Sequence, residues 1–251
     1  MNILVYSFND KIGDGLQKIT FLQKLKDIYP NSLIYYTTSQ TTTLKDKLKP
    51  LVKDIIHKFI EYNKIESSIF SLFKRNDKLP KIKFDLIIDL QKVVLRTLSL
   101  KKIPHYKFFS ATANFLFSDF KNNKNLEFKN IYIEQFYFNI LSIIKNELFN
   151  KIPNINVPIN NNIPEILSNK IKNIAIAPGA GNPIRQWKFD NYLQIAKKLR
   201  DKNYNVYFFL GPNEKPFLDI CLNNKFICPE WENGEIISTD ISFTMNLAKK
   251  M

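Results

Sequence analysis

The sequence predicts an α/β protein with a parallel sheet in each half of the chain, and three observations carry that reading. Only six glycines occur in 251 residues. Five of them fall in three loops that each follow a run reading as a buried strand: residues 9–17 after 3–8, 178–186 after 173–177, and 211–212 after 206–210. Glycine at a strand-to-helix junction lets the backbone approach a ligand closely, and the helix N-terminus that follows offers unpaired N–H groups to an anion. Strand and helix patterns also alternate, which is the sequence form of βαβ units. Finally, the alternation stops in a stretch rich in Asn and Pro and then restarts. Ligands of such sheets bind outside the carboxyl ends of the strands, so one site is expected in each half.

The elements follow in order. Residues 3–8 form the first strand, and 16–28 repeat apolar side chains at Ile19, Leu22, Leu25 and Ile28, a helical spacing. Residues 32–37 read as the second strand. The segment 44–62 is expected to be helical on both sides of a kink at Pro50. Residues 84–90 are an almost unbroken apolar run bounded by Asp85 and Asp89, as expected of a central parallel strand. A helix over 93–100, a short strand over 106–110 and an aromatic-rich helix over 132–148 complete a first domain, 1–150. A linker over 151–170 contains Pro153, Pro158 and Pro164. The second domain, 171–251, holds strands at 173–177 and 205–210, helices over 189–202 and near 215–222, a short strand around Phe226 and a new helix from Phe243. Two or three strands cannot cover both faces of a second sheet, so this domain is expected to be incomplete and the reading frame to continue past Met251.

A length of 251 residues suits one large or two ordinary domains, at about 100–200 residues each. With 45% hydrophobic and 24% charged residues the chain is globular. The net charge of +14 and pI near 9.5 raise nucleic acid as a partner. The basic residues are scattered among Asn, Ile and Phe, however, which favours a solvated basic surface, with attraction to an anionic membrane face as a further reading. Cys221 and Cys228 are the only cysteines, and His57 and His105 lie far from them in sequence. That excludes a zinc framework or disulfide scaffold. The N-terminus runs into a strand without a signal peptide's basic and small-residue regions, and no apolar stretch reaches the ~18 residues of a membrane span. A cytoplasmic protein is expected, free or resting on a membrane.

Three loops offer chemistry. In Ile12-Gly13-Asp14-Gly15, Asp14 reads either as the N-cap of the next helix, with Gln17 completing a capping box, or as a carboxylate that accepts a proton from a hydroxyl nucleophile. In Ala177-Pro178-Gly179-Ala180-Gly181-Asn182-Pro183-Ile184-Arg185-Gln186-Trp187, two glycines precede one cation and a helix start. Backbone N–H groups around Gly181 and a bidentate Arg185 suit a diphosphate, although the spacing is neither a P-loop nor G-x-G-x-x-G. Trp187 reads as a packing residue. In Gly211-Pro212-Asn213-Glu214, Glu214 is either favoured by a helix dipole or binds ribose hydroxyls. Both histidines read as structural.

These loops, with the strand Phe84-Asp85-Leu86-Ile87-Ile88-Asp89-Leu90-Gln91, resemble the glycosyltransferase family 9 proteins, the heptosyltransferases of lipopolysaccharide assembly. The resemblance implies a GT-B fold of two Rossmann-like domains, with the acceptor on the N-terminal domain and the sugar nucleotide on the C-terminal one. It implies that Asp14 is the catalytic base, and that Gly13, Asp89 and Gln91 lie on the acceptor side. Gly179, Ala180, Gly181, Arg185 and Glu214 would bind the donor. Arg185 stands where the family has Lys, which keeps the charge and changes the geometry. The family's later Asp-Ser-Gly-x-x-His segment has no counterpart before Met251.

The expected activity is therefore inverting, metal-independent transfer of a heptose from a nucleoside diphosphate to a glycolipid acceptor at the inner membrane surface, with no cofactor. An epimerase or other sugar-nucleotide enzyme is the rival within the fold. A basic nucleic-acid-binding protein is the rival outside it.

Overall fold

The computed structural model describes residues 1–72, 77–149, 157, 171–180, 183–238, 240–249 and 251. The chain divides into two compact units, Met1–Asn156 and Val157–Met251. Apart from Val157, the expected linker at 151–170 lies outside the described residues.

The first unit is built on five parallel strands: β1 (Asn2–Ser7), β2 (Leu33–Thr38), β3 (Ile56–Ile60), β4 (Phe84–Asp89) and β5 (His105–Ser110). Their spatial order is β3-β2-β1-β4-β5. β1 and β4 are central and covered on both faces, which is why they read as continuous apolar runs rather than alternating ones. On one face Leu4, Tyr6, Phe84, Ile87 and Phe108 share a core with Leu100 of the helix α2 (Val94–Lys101). The helices α1 (Ile12–Ile28) and α3 (Ile133–Lys145) pack on each other, with Phe21 and Tyr137 ring centres 5.7 Å apart. β2 and β3 lie on one side of β1, and β4 and β5 on the other. The sheet therefore reverses its direction of growth between β1 and β4, and their carboxyl ends flank the switch-point crevice.

Two expectations fail here. The segment 44–62 is not helical: a short 3-10 turn, Lys49–Leu51, carries Pro50, and β3 follows. Proline, which has no N–H to give, is readily accommodated in the first turn of such a helix. The apolar periodicity that suggested a helix belongs instead to two structures, a loop burying Leu44, Leu48 and Val52 and an edge strand burying Ile56 and Ile60. His57 is consequently an exposed strand residue against Tyr35, not part of an amphipathic helix. The first helix also begins earlier than expected. Lys11 is its N-cap and Asp14 sits inside the first turn, so the capping-box reading of Asp14 with Gln17 is wrong. Gly15 makes the early start possible: a Cβ there would lie 2.6 Å from Leu48 Cδ1 and 2.9 Å from Thr43 Oγ1.

Asp10 ties these pieces together. It is 1% exposed, and its carboxylate accepts hydrogen bonds from Ser7 Oγ at 2.8 Å, Tyr36 OH at 2.7 Å and Thr42 Oγ1 at 2.9 Å, and from Lys18 Nζ. Lys18 is itself buried, so this is a buried ion pair with its remaining lone pairs satisfied. Beside the carboxylate, burial and the negative charge of Asp10 push the Tyr36 hydroxyl well above its ordinary pKa.

The second unit has a parallel pair, β6 (Asn173–Ile176) and β7 (Asn205–Phe208), flanked by α4 (Phe189–Asp201) and α5 (Leu218–Asn223). The strand expected around Phe226 is a single bridge between Tyr207 and Ile227. The helix expected near 215–222 is a 3-10 turn, Pro212–Phe217, leading into α5. A hairpin of β8 (Trp231–Glu232) and β9 (Glu235–Ile236) turns on Asn233 and Gly234, whose φ values of 50° and 79° suit that pair of residues. α6 (Ile241–Ala248) is capped by Asp240, which accepts from the Ser242 N–H at 2.9 Å. Phe189, Phe208, Leu210 and Cys221 centre the core.

Removing the charge of Asp10 leaves Lys18 buried without a counter-ion. Asp10→Asn should cost about 3–5 kcal/mol of stability, read from urea unfolding of the whole chain. A cost below about 1 kcal/mol would reduce the pair to the worth of a surface salt bridge.

Candidate functional site

In the second unit the two glycine loops meet on one side chain. The loop after β6 begins at Ala177 and the loop after β7 at Phe209, and both lie at carboxyl ends of parallel strands. A Cβ on Gly179 would come within 2.9 Å of the Glu214 carboxylate, and one on Gly211 would also come within 2.9 Å of it. A side chain at either position would have to displace the Glu214 carboxylate, which is lodged against the two backbones. Its N–H donates to the Gly211 carbonyl at 3.0 Å. Ala180 is half-buried beside it in sequence, whereas Gly181 lies outside the described residues. Arg185 ends a short 3-10 turn, Pro183–Arg185, and is exposed, with no carboxylate partner among the described residues. Trp187 is 52% exposed and packs edge-on against Tyr192 at 5.5 Å.

Below Gly211 sits a carboxylate that sequence reading missed. Glu230 is 5% exposed; one oxygen accepts from the Leu210 N–H at 3.2 Å and the other from Thr244 Oγ1 of α6 at 3.3 Å. The neighbouring Trp231 Nε1 donates to the Leu210 carbonyl at 2.7 Å. Both polar groups of Leu210, the last residue before the glycine turn, are thus held by side chains. Burial outweighs these hydrogen bonds and raises the Glu230 carboxyl from its ordinary 4.5 to about 7.

In the first unit Asp14 and Gly13 are exposed in the first turn of α1, and a Cβ on Gly13 would meet nothing within 4 Å. Packing therefore does not demand glycine at position 13. Asp89, at the end of β4, is fully buried. It accepts from the Gln91 N–H at 2.9 Å, Thr97 Oγ1 at 2.6 Å and Ser110 Oγ at 3.0 Å, a network that Thr112 extends. Its carboxyl is nevertheless raised to about 6, again by burial. Asp89 is spent on the protein itself, and it fixes the backbone of Gln91. Gln91 lines an open cleft of about 330 Å³ that shares Lys92, Phe128, Lys129 and Asn130 with a larger one of about 810 Å³. Lys92 donates to the Phe128 carbonyl and stands 4.4 Å from the Phe136 ring centre. Burial and the nearby Lys129 lower its pKa.

Asp10, Glu230 and Arg96, which stacks on Phe8, were not legible as site-building residues. None of them stands in a recognisable motif, and their partners come largely from other elements.

No protein-family model matches the chain, and no curated protein is similar to it in sequence. Solved structures do share its fold. A glycosyltransferase family 9 protein from Veillonella parvula DSM 2008 aligns at TM-score 0.54 and 19% identity, over 91% of this chain and 68% of that one. The E. coli heptosyltransferase WaaC with ADP-2-deoxy-2-fluoro heptose aligns at 0.57 and 11% identity, over 98% and 79%. E. coli ADP-heptose lps heptosyltransferase II aligns at 0.51 and 17% identity, over 89% and 69%. The resemblance read from the sequence is thus met by structures of the same family, and the fold is of the GT-B glycosyltransferase type.

Because the Glu230 carboxyl is raised in the folded state, the folded form holds its proton more tightly than the unfolded chain does. The stability it contributes is full below about pH 4.5 and is lost as pH rises through about 7. Wild type should therefore lose stability over that window relative to Glu230→Gln, measured by thermal unfolding across the pH range. Parallel pH profiles for the two proteins would show that Glu230 titrates normally.

Proposed function

We propose that this protein is a glycosyltransferase, transferring a heptose from a nucleoside-diphosphate donor to a glycolipid acceptor with inversion and without a metal. The observation that carries this is the Glu214 carboxylate set against Gly179 and Gly211 at the ends of two parallel strands. A carboxylate in that position suits the ribose hydroxyls of a nucleoside. The adjoining loop, from Gly179 through Ala180 and Gly181 to Arg185, is proposed to supply backbone N–H groups to a diphosphate, and Arg185, exposed and without a carboxylate partner among the described residues, the cation. Among the structural neighbours, WaaC has been solved with ADP and with an ADP-heptose analogue.

In this reading Asp14 takes the proton from the acceptor hydroxyl as its oxygen attacks the anomeric carbon. The bond to the diphosphate breaks, and the negative charge left on the leaving group is met by Arg185 and the loop N–H groups. Gly13, open on its Cβ side, lets the acceptor approach the first turn of α1. Asp89 acts by holding Gln91 at the cleft mouth. The net charge of +14 favours an anionic membrane surface. No helix among the described residues is long and apolar enough to cross a membrane, so the enzyme is proposed to work on the cytoplasmic face as a peripheral protein. The two units are proposed to be the acceptor and donor domains respectively.

Arg185→Ala should weaken ADP binding by about 1.5–3 kcal/mol, the worth of a charge-assisted hydrogen bond, in calorimetry with the intact protein. Unchanged affinity would remove Arg185 from the donor site, and binding of duplex DNA in preference to ADP would overturn the transferase reading. Asp14→Asn separates catalysis from stability. As an acid in the first turn of α1, Asp14 contributes about 0.3–1 kcal/mol through the helix dipole, so melting should change little. Turnover of ADP-heptose should fall about 10²–10⁴-fold if Asp14 is the base. A variant with full activity would leave the reaction without one.

A further inference from the structure

Trp231, on β8, bears on the Glu214 loop at both of its ends. The chain leaves the second unit's sheet at Leu210, just past β7, and runs through Gly211 to Glu214 and Lys215. The indole Nε1–H of Trp231 donates to the Leu210 carbonyl at 2.7 Å. The same ring has its centre 5.9 Å from Lys215 Nζ, within the range of a cation–π contact. One side chain therefore meets the residue before the glycine turn and the residue after Glu214.

The loop needs such a hold from outside. The ladder between β6 and β7 ends at Phe208, and Leu210, fully buried beyond it, must find partners for both of its backbone groups. It takes them from consecutive side chains, the Glu230 carboxylate for its N–H and the Trp231 indole for its carbonyl. A peptide held on both sides cannot turn without leaving a buried group unpaired. Gly211, the next residue, is the most permissive joint in the path to Glu214. Beyond it the turn is stiff: Pro212 has a fixed φ, and the Glu214 N–H closes back on the Gly211 carbonyl at 3.0 Å. The direction in which Glu214 points is thus set by what holds Leu210 and Lys215. Trp231 is itself held, since its N–H donates to the Cys228 carbonyl at 3.0 Å and it pairs with Ile236 across the hairpin. Packing alone would call for an apolar ring here and not for an indole N–H.

We propose that Trp231 is a positioning residue for the nucleoside diphosphate: acting through Leu210 and Lys215, and without touching the ligand, it places the Glu214 carboxylate where the nucleoside meets it. The ligand in that statement rests on the transferase reading, whereas the hold on the loop does not.

The test is a set of double-variant cycles on the intact chain, with ADP affinity measured by calorimetry. Trp231→Phe keeps a ring for the core and for Lys215 and deletes only the N–H donor. It should weaken ADP binding about tenfold by itself and about as much in the Arg185→Ala background. Combined with Glu214→Gln it should cost less than about twofold more, because the carboxylate it places is gone. Equal losses in every background would make Trp231 a general stabiliser of the unit, and an unchanged affinity would leave it no part in binding; either result overturns the proposal. Amide hydrogen exchange is read in parallel: the Glu214 N–H should exchange faster in Trp231→Phe while the amides of α4 keep their wild-type rates. Wild type that binds no ADP would remove the transferase reading, and the exchange rates would still decide the hold on the loop. An unchanged Glu214 rate would overturn that hold, so the two failures are distinguishable.

Discussion

The buried pair of Asp10 and Lys18 holds the first unit's crevice in shape. Asp10 follows β1, Lys18 lies one and a half turns into α1, Tyr36 is on β2, and Thr42 belongs to the loop that leaves β2. One carboxylate therefore fixes the start of α1 relative to two strands and a loop. Asp14 and Gly13 are carried on the turn between Asp10 and Lys18, and their placement follows from this anchor rather than from contacts of their own. The backbone joins in: the Asp10 N–H donates to Thr41 at 3.1 Å and its carbonyl accepts from Thr43 at 3.0 Å. A buried ion pair is weak as a source of stability but strict about geometry, and strict geometry is what a proton-accepting carboxylate requires.

Much of the fold was legible because parallel sheets write themselves plainly: β1 and β4 are covered on both faces and read as apolar runs. β3 was misread because it is a five-residue edge strand that buries only its ends, and a short run of that kind carries no period of its own. The loops were legible for a different reason. Of the six glycines in the chain, Gly15, Gly179 and Gly211 have neighbouring side-chain atoms where a Cβ would go, and Gly234 takes a φ of 79°. The supporting residues were not legible. Asp10, Arg96 and Glu230 act through partners 26, 88 and 20 residues away in Tyr36, Phe8 and Leu210, and no local pattern encodes such distances.

The same device recurs at other strand ends. The N–H groups that emerge past the carboxyl edge of a parallel sheet have no ladder partner, and side-chain carboxylates accept them: Asp89 takes the Gln91 N–H, Glu230 the Leu210 N–H, and Glu61 the Thr42 N–H at 2.9 Å. Each of these loops is therefore pinned by a side chain of the protein rather than by the sheet ladder. The cost of the arrangement is visible in Asp89 and Glu230, whose carboxyls are raised by burial despite their hydrogen bonds. Glu61, less deeply buried and paired with Lys45, goes the other way: its hydrogen bonds and the lysine charge outweigh desolvation, and its pKa is lowered.

Exposure thus sorts the carboxylates of this chain into two groups, and the sorting bears on chemistry. Asp10, Asp89 and Glu230 are buried and their oxygens are taken up by the protein, so none of them is free to accept a proton from a substrate or to bind a hydroxyl. Asp14 is exposed and Glu214 only half-buried, each beside a glycine at the carboxyl end of a strand. A proton acceptor needs an open lone pair and a fixed backbone, and a buried carboxylate supplies the second only by giving up the first. Pairing each accessible carboxylate with a buried one nearby, Asp14 with Asp10 and Glu214 with Glu230, resolves that conflict within each unit.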